Sequence, residues 1–136
     1  MSKHFVPTRE QIQQADDFQT RQVPVPEWGD GAVVYVRTIS SADRIKFEMS
    51  LQHDNEQIRD KRREQVKEKL IVLCACNQDG APLFQPDDVA WLRGKSARPI
   101  ERIFEAARVL NGIGEDDVEQ LVGNSQEVQS DDLRTD

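Results

Sequence analysis

The chain has two cysteines, two histidines, one tyrosine and two tryptophans in 136 residues, and each shortage excludes something. Two cysteines spaced Cys74-x-Cys76 cannot build a disulfide framework of the kind that holds small secreted domains together. On a helix, positions two apart point to different faces, so this pair would need His4 or His53 brought from a distance to hold zinc. Neither histidine has a serine, cysteine or carboxylate pattern beside it that would mark a catalytic base. Glycine-rich phosphate loops are missing as well. Gly94-Lys95-Ser96 imitates the end of one, but the position five before Gly94 is Val89 rather than glycine. Asp87-Asp88 and Asp116-Asp117 read as helix starts facing the positive end of the dipole rather than as a cation site. No enzyme constellation, cofactor site or metal site emerges.

Long apolar runs are also absent, and none approaches the ~18 residues that a bilayer requires. The opening Met-Ser-Lys-His-Phe-Val-Pro lacks the apolar centre of a secretory signal, so the expected compartment is the cytoplasm. With 37% hydrophobic and 32% charged residues, the chain should form one small domain with a thin core and a solvated surface. The net charge of −7 is unevenly placed. Residues 115–136 hold eight acids and one arginine and account for all of it, leaving seventeen charges of each sign in residues 1–114. A neutral body with an acidic end argues against nucleic acid and acidic lipid, and for solubility or a basic protein partner.

What is present is one hairpin and a series of helices. Val23 and Val25 share one face of an extended arm, Val34 and Val36 share one face of the next, and Trp28-Gly29-Asp30-Gly31 supplies the reversal. Pro24 and Pro26 remove donors from one edge, which makes the first arm an edge strand. Thr8 and Gln11 have capping-box spacing and predict a short helix to about Phe18, with Ile12, Ala15 and Phe18 inward. Ser40 and Asp43 repeat that spacing and start a second helix. Ile58, Arg62, Val66, Leu70 and Leu73 form one stripe and predict a helix from 58 to about 76, its other face basic but interleaved with acids. Ser96 begins a helix to about Asn111, with Pro99 in its first turn, Ile100, Ile103, Phe104, Ala107 and Leu110 inward, and Gly112 past its end. The expected fold is α+β, mainly α: a helical domain over 1–123, with a two-stranded antiparallel hairpin at about 20–39, a helical body at 40–123, and an acidic disordered tail at 124–136.

The ordered set of motifs resembles a known family. Val-Pro-Val-Pro-Glu-Trp-Gly followed by Val-Tyr-Val-Arg, then Asp79-Gly-Ala-Pro-Leu-Phe84, the Asp-Asp-Val helix start, Ile103-Phe-Glu-Ala-Ala107 and Leu110-Asn-Gly-Ile-Gly114 are similar to the tail assembly chaperones of long non-contractile-tailed bacteriophages and prophages. The resemblance covers roughly residues 20–123; Pro86 before Asp87, and Gly114 in place of a Ser or Thr cap, depart from the pattern. It implies a non-enzymatic role in virion assembly: binding the tape measure protein, keeping it soluble, and recruiting tail-tube subunits. Such proteins act in the host bacterial cytoplasm, are absent from the mature virion, and often have a frameshifted longer form.

The grooves beside the 58–76 and 96–111 helices are then the expected seats for partner helices. Trp28, Tyr35, Arg62, Val66, Trp91, Ile103 and Phe104 are the candidate partner-binding residues. Self-association is open. Two other classes compete: an adaptor or regulatory module binding nucleic acid or protein through the basic helix face, and a metal-binding protein built on Cys74, Cys76 and a histidine.

Overall fold

The computed structural model describes residues 3–122; the acidic stretch from 124 onward, expected to be disordered, lies outside them. Thr20–Pro24 (β1) and Val33–Arg37 (β2) pair antiparallel, with Val23 opposite Val34. Val23, Val25, Val34 and Val36 are buried as the alternation predicts, while Val33 is exposed. The reversal is longer than a two-residue turn. Pro26–Trp28 forms a single 3₁₀ turn, the Val25 amide donates to the Ala32 carbonyl at 2.8 Å, and Gly31 sits at φ 74°, where a Cβ would be strained.

The sheet has three strands in the order β1-β2-β3, not two. Ala75–Cys76 (β3) pairs antiparallel with β2 through Tyr35↔Cys76 and Val36↔Ala75, and Cys76 bridges Pro82 on its far side. Two residues are too few to show alternation, so tertiary pairing alone creates this strand. Strand β1 is an edge, as the prolines require. Gln19 and Val25 both bond towards β2, so the odd positions face inward and Pro24 faces the open edge. There it has no amide hydrogen to offer, and its outward carbonyl accepts from Arg102 Nη1 at 3.1 Å. That end of the edge is closed on both counts.

Helix α1 (Arg9–Gln14) starts with the expected capping box: Thr8 Oγ1 accepts from the Gln11 amide at 3.1 Å, and Gln11 Oε1 accepts from the Thr8 amide at 2.8 Å. It stops at Gln14, however, and buries nothing. Ile12 is 61% and Phe18 50% exposed, against the expectation that they point inward. One and a half turns followed by extended Ala15 cannot lay a stripe on the body. Helix α2 (Ser41–Met49) is capped by Ser40, whose Oγ accepts from the Asp43 amide at 3.0 Å, and buries Phe47.

The long helix expected at 58–76 is two: α3 (Glu56–Glu64) and α4 (Val66–Cys74), separated at Gln65 with φ −98° and ψ 10°. Arg59, Arg62 and Arg63 turn to the α2–α3 loop, with Arg62 Nη1 donating to the Gln52 carbonyl at 2.9 Å. The break leaves charged α3 at the surface and lets α4 turn Val66, Leu70, Ile71 and Cys74 into the core.

After β3 come a 3₁₀ turn at Pro86–Asp88, then α5 (Val89–Leu92), α6 (Ala97–Leu110) and α7 (Glu115–Val122). Helices α4 and α6 lie side by side and cover the valine face of the sheet. On α6, Ile100, Ile103, Phe104 and Ala107 are buried as the stripe predicts. Gly112 at φ 68° closes it: the Ile113 amide donates to the Arg108 carbonyl at 2.9 Å and the Gly112 amide to the Val109 carbonyl at 3.1 Å. This is the glycine-terminated end in which buried Ile113 seals the last turn. Among the described residues, no helix is long and apolar enough to cross a membrane.

Candidate functional site

The molecule has a clamped side and an open side. On the clamped side, Arg102 of α6 grips Glu27 in the hairpin turn through two bonds of 2.8 Å, a fork-to-fork geometry. The Arg102 bond, with a backbone contribution, holds the Glu27 carboxyl at about 2 instead of 4.5. Asn111 ties three elements together. Its Oδ1 accepts from the Ile39 amide at 2.8 Å, and its Nδ2 donates to the carbonyls of Arg37 at 3.2 Å and Ala107 at 2.9 Å. The Glu-Trp-Gly and Asn-Gly motifs are therefore joints of the fold.

On the open side, α2, α4 and the Pro86–Val89 segment enclose a groove of about 230 Å³. Phe47, Val72, Leu73, Pro86 and Val89 line it, and Lys46 and Lys69 stand at its rim. The Lys69 ammonium donates to the Ser50 carbonyl at 2.8 Å; burial first, then the charge of Arg62, lowers its pKa. Among the described residues neither lysine forms an ion pair. Beyond Val89, Trp91 is 48% exposed, its indole edge-on to Phe84 at 5.8 Å and its Nε1 donating to Asp88 Oδ1 at 2.8 Å. Lys95 lies over the same ring at 5.9 Å. A large aromatic held rigid by its neighbours yet half open to solvent is the usual anchor of a protein interface.

The seven residues singled out from the sequence divide between the two sides. Val66, Ile103 and Phe104 are buried where α4 meets α6, so these side chains form the core and no open groove separates the two helices there. Trp28 is half-buried against the core beside the Glu27 clamp, and Tyr35 lies half-buried on the sheet face opposite the valines. Arg62 is half-buried and bonded to the α2–α3 loop. Trp91 is exposed two residues beyond Val89, and none of the seven lines the groove. Lys46, Phe47, Lys69, Val72, Leu73, Pro86 and Val89 were missed, because the approach of α2, α4 and the Pro86 turn is set by tertiary packing. One signal was available: Lys69, Val72 and Leu73 follow three- and four-residue spacing.

Cys74 and Cys76 are buried free thiols. Burial pushes the Cys74 thiol up to about 12 despite Arg37 nearby and the Asn111 amide at 3.5 Å, so it stays protonated. Burial raises Cys76 as well. No group of three His, Cys, Asp or Glu residues is placed to hold a metal ion among the described residues. Acidic α7 packs against basic α3, which sets opposite charge beside the face that a nucleic acid would need.

A small antiparallel sheet backed by helices, with an apolar groove between α2, α4 and Pro86–Val89, frames the candidate site. The profile of the phage tail assembly chaperone family matches residues 9–122, and the chain belongs to that family. The solved tail assembly chaperone of bacteriophage HK97 has a similar fold, with a TM-score of 0.54 and 22% identity over 74% of this chain and 90% of that one. No curated protein matches at a significant level.

Proposed function

We propose that this chain is a non-enzymatic chaperone that binds the tape measure protein in the host bacterial cytoplasm. It keeps that protein soluble, helps bring tail-tube subunits to it, and does not remain in the finished particle. Family membership supports the assembly role, and the groove between α2, α4 and Pro86–Val89 is the observation that supports the binding mode. A tape measure protein is long and helical and exposes apolar stripes that invite aggregation. A groove between two helices receives such a stripe through residues three and four apart. Lys46, Lys69 and Lys95 favour a stripe edged with acids. Arg62 stands behind Lys69 and strengthens that preference.

Co-expression tests the reading. The tape measure protein should shift to the soluble fraction with this chain, and less so with Val89→Glu in the groove or Trp91→Ala at the exposed indole. Equal insolubility with and without the chaperone overturns the proposal.

A further inference from the structure

Of the eight acids in residues 115–136, four belong to α7: Glu115, Asp116, Asp117 and Glu119. The other four, Glu127, Asp131, Asp132 and Asp136, belong to the segment after Val122, with Arg134 as its one base. Two large apolar residues stand among them, Val128 and Leu133. Asp131-Asp132-Leu133 sets two carboxylates directly before the leucine. A solubilising segment needs only the acids. An aliphatic side chain beside paired acids adds the second chemistry that an apolar groove with a basic rim accepts.

The same chain holds such a groove, and α7 delivers the segment to it. Gln120 and Leu121, in the last turn of α7, share a depression with Arg44, Phe47 and Glu48 of α2. Phe47 also lines the groove of α2, α4 and Pro86–Val89, so the segment sets out from the far side of a single side chain. At ~3.3 Å per residue, the steps from Val122 to Leu133 span up to about 36 Å, roughly three helix diameters, so reach is ample. The groove suits side chains better than a small molecule, because its volume of about 230 Å³ lies below the ~300–1,000 Å³ of small-ligand pockets. At its rim Lys46 and Lys69 form no ion pair among the described residues, and the Lys69 ammonium donates to the Ser50 carbonyl.

We propose that Asp131-Asp132-Leu133 docks in the chain's own groove, Leu133 among Phe47, Val72, Leu73 and Val89 and the aspartates on Lys46 and Lys69, and so competes with the client. The competition rests on the groove being the client's seat; the docking itself does not. Tethering makes a weak contact sufficient. A short linker holds the segment at an effective concentration in the millimolar range, so a contact too weak to form between separate molecules closes the groove within one. Closure for about nine-tenths of the time weakens the apparent affinity for a client about tenfold. The apolar groove is then covered until a better-fitting stripe displaces the segment, which spares the free chaperone an exposed sticky surface.

Paramagnetic relaxation on the full chain tests the docking. A nitroxide is attached at Thr135→Cys; both native thiols are buried. It should selectively broaden the amide signals of Val72, Leu73 and Val89. The broadening should fade in ~0.5 M salt, which screens the ion pairs. It should also fade with Asp131→Asn, Asp132→Asn and Leu133→Ser combined, and an unchanged circular dichroism melt separates lost docking from a lost fold. Broadening spread evenly over the surface, or indifferent to the triple substitution, overturns the docking. Mixing spin-labelled chains with isotope-enriched chains that lack the label identifies the occupant: groove broadening in that mixture assigns the contact to a second copy and overturns docking within one chain. In a titration with the tape measure protein, the triple variant should bind about three- to tenfold more tightly. Equal affinity overturns the competition. A tape measure protein that binds neither chain overturns the client reading and the competition with it, while the docking is decided by the relaxation result alone.

Discussion

The hairpin side and the groove side of this small protein are built on opposite rules. Around α6 three polar side chains are tied down: Arg102 to Glu27 and Pro24, Asn111 to Arg37, Ile39 and Ala107, and Arg108 to Glu105 and the Ile113 carbonyl. Around α2 and α5 the apolar surface is left uncovered, and Lys69 is held only by a backbone carbonyl. Saturated interactions make one half rigid. Unsatisfied surface makes the other half available.

Breaking the contrast from its firmest point should cost most. Ile103→Ala opens a cavity between α4 and α6, where the side chain is wholly buried, and should lower stability by about 2–5 kcal/mol in urea denaturation. Asn111→Ala should cost about 1–3 kcal/mol by the same measurement, because it leaves the Ile39 amide and the Arg37 carbonyl without partners inside the fold.

The Glu27 clamp should give a pH signature. Its folded carboxyl titrates at about 2, below the ordinary 4.5, so its contribution is complete above 4.5 and is lost as pH falls towards 2. Thermal melts over that interval should show a slope that Glu27→Gln removes. The smallest effect on the fold belongs to the open side. Trp91→Ala should change stability by at most about 1 kcal/mol while weakening client binding tenfold or more in a titration. A Trp91 variant that unfolds the protein would make the groove part of the clamped half and dissolve the distinction.

The clamped side was largely legible in the sequence. Alternating valines, an edge proline and Asn111-Gly112 each act through neighbours within a few residues, so local chemistry names them. The open side was not. The break at Gln65 has no proline or glycine to announce it. The stripe Arg62–Val66–Leu70–Leu73 runs straight through it, and only the different surroundings of α3 and α4 force the bend. Val66, Ile103 and Phe104 were correctly read as facing inward on their helices, but a stripe does not say whether what it faces is a core or a partner. Burial supplies that answer. The outward Ile12 and Phe18 show the same ambiguity in reverse, since a capping box secures a helix without securing anything for it to pack on.

The shut end of β1 bears on incorporation into a growing assembly. A factor that works among proteins coming together in many copies is lost if it becomes one of the copies, and an open strand edge is the usual way of being incorporated. With Pro24 lacking a hydrogen and its carbonyl occupied by Arg102, that end of the sheet offers no next position.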